Sequence, residues 1–554
     1  MGLLTDFGSV LHEGLVSRTL NTCSRWVTHR RIMGEPFPGN YSFKYHPWCK
    51  EVHDSKAPNN TIMKAAQMGL TEVAINVAFF TIDMLKRDVL YVLPTSLNAS
   101  DFSKSRFNTA LMHSPYLQNL FTDSNAVGIK QAGGINLYIR GSRGDANLKS
   151  IPVSVLILDE ADEMSKRALY LADERLSGQL ESFTFALSTP TIPQFGIHKM
   201  YLQGTQEHFY FLCPRCGRLT EFRFPECLEV CGESITDPDV KKSYLKCLEC
   251  KRKIEHADKP DFLKNAFWDK TVNVNEDHRS FYINQMYSFT VPPAKLAKKY
   301  FEGLGDEAAM VEFINSKQGL PYIPDGGQVT DSEIDSALTR RPYLKANQRP
   351  DLGTDRCIVM GIDQGKMNHV VVVEFILNGV GDLNAAAFAK VLWEGKLPGG
   401  DFTTLDPLFR EWQIKAAVID ADPQINDARR FARRFPGYAY LCRYRRGVSG
   451  KELQVTEEDS GAPIVTVDRT NWLDATMGRF HSDRIILPAD TSSEFKDNIR
   501  ALVRTYDKDE QGNPKATYMN TDPDHFAHAL NYAEIALPLA AGIVGGEDVQ
   551  EKVL

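Results

Sequence analysis

The stretch "IPVSVLILDEADEM", residues 151–164, decides how the first half of this chain folds. Its apolar residues between Val153 and Leu158 predict a buried strand, and the acids that follow mark the strand's carboxyl end. In parallel sheets, ligands bind at that end. We therefore expect Asp159 to hold Mg²⁺, directly or through water, and Glu160 to orient and activate an attacking water. A strand whose charged end merely meets solvent is the alternative.

Two neighbouring runs predict further strands of the same sheet. "RDVLYVLPT" (87–95) and "SFTFALSTPTIP" (182–193) are short apolar runs that end in polar residues. Because helical stretches separate the runs, they indicate an α/β fold with a parallel sheet and crossover connections. Ser188 and Thr189 end the second run, where hydroxyls can sense a γ-phosphate. Two hydroxyls capping a turn are the alternative.

An earlier loop, "TIMKAAQMGLTEVAINVAFF" (61–80), resembles the phosphate-binding pattern G-x-x-x-x-G-K-[ST] without its lysine. Leu70 stands between Gly69 and Thr71, and a lysine is found instead at Lys64. The N–H groups at a helix N-terminus supply most of a phosphate cradle. We expect Lys64 to add its charge from the strand side and Thr71 to contact Mg²⁺. A chance turn between a strand and a helix is the alternative.

Length and composition restrict the class of protein. The chain has 554 residues, which predicts two to four domains, and its net charge is −7. Binding to nucleic acid would therefore depend on local basic patches. No run resembles a transmembrane helix, and the N-terminus has acids and no long apolar core, so we expect a cytoplasmic protein without a signal peptide.

The cysteines indicate a metal site. "CPRCG" and "CLEC" are two C-x-x-C pairs separated by thirty residues, a spacing typical of zinc ribbons. The predicted ligands of a closed, structural zinc site are Cys213, Cys216, Cys247 and Cys250. Cys227 and Cys231 lie between the pairs and could compete as ligands. A redox pair or free thiols are the alternative.

The second half begins after a segment rich in Gly, Pro and Asp, residues 315–334, which predicts a hinge between domains. Beyond it, "RCIVMGIDQG" (356–365) and "IKAAVIDADP" (414–423) predict buried strands. The first strand delivers Asp363 at its end, and the second delivers Asp420.

A C-terminal helix, predicted over "DPDHFAHALNYAEIAL" (522–537), supplies a third acid. Asp524 and His528 are four residues apart and share one face of this helix. If Asp363, Asp420 and Asp524 met, their repulsion would require a divalent cation among them, as in two-metal phosphodiester hydrolysis. The alternative is that these strand-end aspartates never converge.

Arginines recur in two places. Residues 428–447 hold seven arginines and no acid, interleaved with Phe and Tyr, which suits phosphate contacts and base stacking; a solvated basic helix is the alternative. Arg140 and Arg143 lie in a glycine-rich turn, and either is a candidate arginine finger. Solvated turn residues are the alternative reading of that pair.

The order of several motifs resembles one family. "KAAQMGLTE", "LILDEAD", "LSTPT", "CPRCG", "GLPY", "GIDQG", "VDRTNWLDATMGRF" and "DHFAHALNYAEIAL" follow the order found in tailed-phage large terminase subunits of the lambda A-protein type. That group is similar in starting its phosphate loop with lysine and lacking the usual G-K-T lysine. The resemblance covers about residues 30–537.

The resemblance implies an ASCE-type P-loop ATPase domain with a small zinc-ribbon insert, followed by an RNase H-like α/β nuclease domain. The implied boundaries are an N-terminal segment 1–40, an ATPase domain 41–325 with the insert at about 206–262, a hinge 326–352, a nuclease domain 353–537 and a flexible tail 538–554. It implies ATP-driven translocation of viral double-stranded DNA into a procapsid and metal-dependent cutting of concatemeric DNA.

Site residues follow from matching positions. The implied nucleotide site comprises Lys64, Gln67, Gly69, Thr71, Arg143, Asp159, Ser188 and Thr189, with Glu160 as the catalytic residue. The implied nuclease ligands for Mg²⁺ or Mn²⁺ are Asp363, Asp420 and Asp524. Many relatives carry an acid where His528 stands, so His528 is either a ligand itself or a sign that a second metal is held weakly.

The implied cofactors are ATP, Mg²⁺ or Mn²⁺, and structural Zn²⁺. The implied partners are double-stranded DNA, a small terminase subunit, a portal protein and further copies in a pentameric ring, with no membrane. The location would be the host cytoplasm, transiently at the portal and not in the mature virion. The alternatives are a superfamily-2 helicase, since residues 159–162 spell "DEAD", although no second helicase lobe or Q-x-x-G-R-x-x-R pattern follows, and a non-catalytic, zinc-stabilised DNA-binding scaffold.

Overall fold

A computed structural model describes most of the chain: residues 19–272, 274, 276–343, 356–376, 388–400, 402–445, 453–457, 462–509, 511–540, 543–544 and 547–548. The chain divides into two compact units, Met1–Tyr322 and Ile323–Leu554. Within the described residues, the helices are all too short or too polar to cross a membrane.

The first unit contains sixteen strands among its described residues. They are β1 (Ile32–Met33), β2 (Gly39–Asn40), β3 (Asn59–Lys64), β4 (Val89–Leu93), β5 (Ser124–Ala126), β6 (Ile129–Ala132), β7 (Ile135–Gly141), β8 (Val155–Asp159), β9 (Phe183–Ser188), β10 (Glu207–Leu212), β11 (Leu219–Thr220), β12 (Leu228–Glu229), β13 (Tyr244–Lys246), β14 (Lys253–Ile254), β15 (Phe267–Lys270) and β16 (His278–Ile283).

Helices accompany these strands. They are α1 (Cys23–Arg30), α2 (Cys49–His53), α3 (Leu70–Phe80), α4 (Ser96–Phe102), α5 (Asn108–His113), α6 (Pro115–Leu120), α7 (Lys166–Asp173), α8 (Gly196–Leu202), α9 (Lys259–Phe262), α10 (Pro293–Gly305) and α11 (Glu307–Glu312).

Eleven of the strands form one sheet in the order β11-β10-β16-β3-β9-β8-β4-β7-β6-β5, with β15 also paired to β10. The run from β10 to β7 is parallel throughout. Its central strands β4 and β8 are fully buried, as expected where helices cover both faces of a parallel sheet. The predicted α/β sheet is confirmed, and β9 lies between β3 and β8.

A separate three-stranded sheet, β12-β13-β14, lies within residues 206–262, where the zinc-ribbon insert was predicted. Its outer strands each pair antiparallel with β13. The region predicted as a separate N-terminal segment is not separate where it is described, because Trp26 and Val27 of α1 are buried in the core of the first unit. Residues 1–18 of that segment lie outside the described residues.

The second unit contains a mixed eight-stranded sheet in the order β22-β23-β21-β20-β17-β18-β19-β24. These strands are β17 (Arg356–Asp363), β18 (Met367–Ile376), β19 (Phe388–Pro398), β20 (Ala416–Asp420), β21 (Ala439–Tyr444), β22 (Gln454–Glu457), β23 (Pro463–Val467) and β24 (Ile485–Ile486). Strands β17, β18 and β19 pair antiparallel, whereas β17, β20, β21 and β23 run parallel. This mixed α/β architecture agrees with the predicted nuclease fold.

Two hairpin ribbons and six helices complete the described part of this unit. They are β25 (Leu502–Lys508) with β26 (Pro514–Asn520), β27 (Ile543–Val544) with β28 (Glu547–Asp548), and α12 (Asp331–Ala337), α13 (Asp406–Glu411), α14 (Ile425–Arg434), α15 (Arg469–His481), α16 (Ser493–Ala501) and α17 (His525–Ala540).

The ends of the second unit differ from the predicted boundaries. Part of the predicted hinge, 326–352, belongs to the packed unit, because Val329 and Ile334 are buried in its core; residues 344–352 lie outside the described residues. Helix α17 continues through Pro538 to Ala540, so residues 538–540 are helical and not part of a tail. At both ends of the second unit, apolar side chains packed in or against its core extend the folded region beyond the predicted boundary.

Gly361 sets how closely α17 approaches β17. A Cβ at this position would lie 1.9 Å from Ala529 O and 2.3 Å from Ala533 N, and both atoms are helix backbone. We expect Gly361→Ala to lower the free energy of unfolding by about 3 kcal/mol, measured by chemical denaturation. Gly478→Ala in α15 is the matched control, since a Cβ there meets nothing within 4 Å. An unchanged stability for Gly361→Ala would contradict this close packing.

Candidate functional sites

The predicted phosphate loop connects β3 to α3. Gly69 stands at the N-cap of α3 with φ at +79°, where a Cβ would also lie 2.9 Å from the His46 ring. Gln67 has φ at +62°, a left-handed conformation that costs a non-glycine residue about 1–3 kcal/mol. Such a bend at the end of a buried strand is common at functional sites.

Side chains from outside the loop fix its carbonyl groups. Trp48 Nε1 donates to Met68 O at 2.8 Å, and Gln285 Nε2 donates to Ala66 O at 2.8 Å. The backbone N–H groups of residues 67–72 have no acceptor among the residues that the structure describes. These N–H groups are therefore available to an anion at the start of a helix.

Asp159, the last residue of β8, and Glu160, which follows it, lie at the same edge of the sheet. Asp159 is 2% exposed, and its Oδ2 accepts a hydrogen bond from Tyr91 OH at 2.6 Å. Its Oδ1 has no hydrogen-bond partner in the described protein. Burial raises the pKa of Asp159 to about 6, and the charge of Glu160 adds to the shift. A buried carboxylate oxygen without a partner fits a cation ligand.

Lys64 contacts the second acid of this pair. Its Nζ lies 3.1 Å from Glu160 Oε1, and its side chain is 6% exposed. Glu160 has φ at +58°, another left-handed residue at the site. Ser188 Oγ lies 3.3 Å from Glu160 Oε2, because β9 runs between the strands that carry Lys64 and Glu160. The predicted residues on these three strands are thus brought together.

Asp162 is a buried residue that the sequence reasoning did not select. Its carboxylate accepts from Thr191 N and Thr191 Oγ1, both at 2.8 Å, and from Ile197 N at 2.5 Å. Burial raises its pKa to about 6. Asp162 thereby connects the end of β8 to the loop that follows Thr189. Thr189 itself is half-buried. The available signal was the place of Asp162 as the last residue of "DEAD".

The two predicted arginines lie farther along the sheet. Arg143 is exposed in the turn after β7, and Arg140 Nη1 contacts Gly128 O on the neighbouring hairpin; β4 separates β7 from β8. A third arginine, missed in the sequence, lies at the phosphate-loop helix: Arg106 Nη2 is 2.6 Å from Glu72 Oε1 in the first turn of α3.

The four predicted zinc ligands form one cluster, in which the Sγ atoms of Cys213, Cys216, Cys247 and Cys250 all lie within 4.8 Å of one another. Tetrahedral coordination at about 2.3 Å per bond requires sulfurs roughly 3.8 Å apart. Positive φ angles at Gly217 and Lys251 turn the chain after each pair. Cys227 instead lies against Glu221 O at 3.5 Å, outside the cluster.

In the second unit, Asp363 and Asp420 end neighbouring parallel strands, and Ile362 pairs with Ile419 just before them. Gln364 Nε2 donates to Asp420 O at 2.5 Å and so connects the carboxyl end of β17 to that of β20. Burial raises the pKa of Asp420 to about 6, with the charge of Asp363 contributing. Two carboxylates are thus held side by side.

Asp524 immediately precedes α17. The next residue, His525, contacts the end of β17, since its Nδ1 lies 2.8 Å from Asp363 Oδ2. Burial raises the pKa of Asp524, but the hydrogen bond from His528, 3.3 Å away, and the charge of Arg469 outweigh it and hold the pKa below its ordinary value.

His528 is surrounded by protein groups. Its Nε2 is also 3.3 Å from Arg469 Nη2, and its Nδ1 is 3.3 Å from Tyr444 OH. Two other histidines, missed in the sequence, group with Asp363: the ligand atoms of Asp363, His369 and His525 all lie within 4.8 Å of one another. His369 is identified by the antiparallel pairing of β17 with β18, which places it directly opposite Asp363.

The arginine-rich segment forms α14 and β21. Arg430 and Arg443 are exposed, as expected for phosphate contacts, and Arg446 lies outside the described residues. The expected stacking of its phenylalanines on bases is not supported, because Phe431 is buried and Phe435 stacks on Phe409 with ring centroids 3.9 Å apart. Helical spacing directs these rings to the core.

Two family models match the chain. "Phage terminase large subunit gpA, ATPase domain" matches residues 35–268, and "Terminase large subunit gpA, endonuclease domain" matches residues 278–395. Together they cover more than half of the sequence.

Individual relatives are distant. The large terminase subunit of Escherichia phage lambda is 21% identical over 306 residues, 49% of this chain and 47% of that protein. The large terminase subunit of Enterobacteria phage P21 is 25% identical over 178 residues, 29% of this chain and 28% of that protein. The chain thus matches about half of the first relative's length and less of the second. The HK97 bacteriophage large terminase structure has a TM-score of 0.45 at 11% identity, covering 94% of this chain and 99% of that one.

Proposed function

Since this chain belongs to the gpA family of phage terminase large subunits, we propose that it hydrolyses ATP to move viral double-stranded DNA into a procapsid and cuts concatemeric DNA with a metal-dependent nuclease. The observation that carries this proposal is the pairing of two sites in one chain. One unit holds the loop with Lys64 facing an acid pair, of which Asp159 is buried, and the other holds carboxylates at adjoining strand ends.

The ATPase site would hold the nucleotide through the loop. The N–H groups of residues 67–72 and the ammonium of Lys64 would bind phosphate oxygens, while Thr71 and Asp159 Oδ1 would bind Mg²⁺. The metal would neutralise charge that develops on the phosphates. Glu160 would accept a proton from the attacking water.

The contact between Lys64 and Glu160 suggests how nucleotide binding prepares this base. In the structure the ammonium of Lys64 forms an ion pair with Glu160 at 3.1 Å. Phosphate oxygens would draw Lys64 toward the nucleotide and leave Glu160 to orient water. Ser188, beside Glu160, and Asp162, bound to Thr191, would pass this change to the loop after β9.

The nuclease site would use Asp363, Asp420 and Asp524 as ligands of Mg²⁺ or Mn²⁺. A bound metal would activate water and stabilise the leaving oxygen. Gln364 would keep the strand ends together, and the exposed arginines 430 and 443 would hold the DNA backbone. A small terminase subunit, a portal protein and a pentameric ring of this chain are the partners that the family suggests, in the host cytoplasm.

Zinc in the cysteine cluster is part of the proposal and has its own test. We expect Cys250→Ser to lower the zinc content from one ion per chain to none and to lower the melting temperature of the first unit, because the metal closes the insert. Atomic absorption and calorimetry measure both effects. Cys227→Ser is the matched control, since its thiol lies outside the cluster. Zinc retained by Cys250→Ser would contradict the ligand set.

A packaging assay tests the whole proposal. With purified procapsids and ATP, we expect double-stranded DNA to become protected from added nuclease, and we expect no strand separation without capsid components. ATP-dependent unwinding of a duplex by the chain alone would favour the helicase alternative. A chain that bound DNA without hydrolysing ATP would favour the scaffold alternative.

A further inference from the structure

Two imidazoles that the sequence did not predict, those of His369 and His525, stand beside the carboxylate of Asp363. The geometry points to a mixed nitrogen and oxygen metal site made by Asp363, His369 and His525, which takes a first-row transition metal such as Mn²⁺ in preference to Mg²⁺. This inference rests on the proposed nuclease and names the class of its metal.

The first argument is distance. His525 Nδ1 lies 2.8 Å from Asp363 Oδ2, and the ligand atoms of all three residues lie within 4.8 Å of one another. Ligands bonded to one ion at about 2.0–2.2 Å are separated by roughly 3 Å when adjacent and by at most about 4.4 Å when opposite. The three side chains are therefore close to the separations that a single ion requires.

The second argument is the scaffold that holds them. β17 and β18 pair His369 directly with Asp363, and both side chains are mostly buried. Asn498 Oδ1 accepts from Phe526 N at 2.9 Å and thereby fixes the first turn of α17, which carries His525. The two imidazole rings lie nearly parallel, with centroids 4.5 Å apart and an interplanar angle of 13°.

The third argument is the group behind His369. Its Nε2 lies 3.6 Å from Glu494 Oε1, and Glu494 is held in turn by Lys396 Nζ at 2.6 Å. A metal-binding histidine ordinarily presents one nitrogen to the ion while the other faces a carboxylate. His525, with 51% of its side chain exposed, leaves the opposite side open to water and to a phosphate oxygen.

The ligand chemistry sets the choice of metal. Mg²⁺ binds oxygen ligands and keeps several waters, whereas two imidazoles with one carboxylate favour transition metals. Three aspartates alone would show no such preference. The histidines therefore give the site a selectivity that the acids predicted from the sequence do not supply.

Mn²⁺ binding to the full chain, measured by electron paramagnetic resonance without DNA or nucleotide, tests the inference. We expect His369→Gln and His525→Gln each to weaken Mn²⁺ binding about tenfold or more, with a smaller change for Mg²⁺ measured by competition. Asp363→Asn should weaken both metals. His481→Gln is the matched control, because His481 pairs with Glu333 in the same unit and lies outside the cluster.

Wild-type Mn²⁺ affinity in either histidine variant would overturn the three-residue site, as would equal losses of Mn²⁺ and Mg²⁺ affinity. Because the readout needs no DNA, it is separate from the proposed nuclease. A chain that binds Mn²⁺ through these residues but cuts no DNA would support this site and reject the nuclease.

Discussion

Glu160→Gln is expected to lower the rate of ATP turnover by about 10²–10⁴-fold, the usual contribution of a general base. Glutamine keeps the size of the side chain and one acceptor oxygen, but it cannot accept a proton from water. The loop N–H groups and Lys64 remain, so ATP binding should survive. Steady-state phosphate release and nucleotide binding by calorimetry separate the two effects.

Lys64→Ala gives the complementary result. It removes the cation nearest to Glu160, 3.1 Å away, and we expect it to lose both ATP binding and turnover. Glu163→Gln is the matched control for Glu160→Gln, and Lys56→Ala is the matched control for Lys64→Ala. Glu163 and Lys56 are both exposed, and each is close in sequence to the residue it controls for. Normal turnover by Lys64→Ala would show that another cation, such as Arg106, serves the phosphates.

Asp363→Asn is expected to reduce DNA cleavage by about 10³-fold or more, because asparagine lacks the anionic oxygen that would hold the metal at the reacting phosphate. Asp363 ends β17, next to the strand β20 that ends in Asp420, and His525 at the start of α17 contacts its carboxylate. ATP turnover should be unchanged, because the phosphate loop and acid pair belong to the other unit. Plasmid cleavage in Mn²⁺ and Mg²⁺ measures the loss.

Asp497→Asn controls for charge removal in the same unit, because Asp497 is exposed and pairs only with Arg500 among the contacts that the structure describes. Both variants should keep the wild-type melting temperature. Full cleavage by Asp363→Asn would remove Asp363 from the site, whereas loss of cleavage in both variants would indicate general damage to the unit.

Much of the fold could be predicted from local sequence. Buried parallel strands are short apolar runs, and polar residues at their ends face the ligand edge, so the positions of Asp159, Ser188, Asp363 and Asp420 followed from each segment alone. The paired cysteines could also be predicted, because two thiolates with two residues between them can reach one ion whatever surrounds them.

The tertiary structure alone decided which of these groups meet and what joins them. Lys64 contacts Glu160 because β9 alone lies between β3, which ends in Lys64, and β8, which Glu160 follows. His525, not His528, reaches Asp363 because Gly361 lets α17 pack directly on β17. His369 and the phenylalanines of α14 were likewise assigned by register and burial. Residues separated by as many as 162 positions, as Asp363 and His525 are, become neighbours only through pairing and packing, so no short-range pattern in the sequence records their contact.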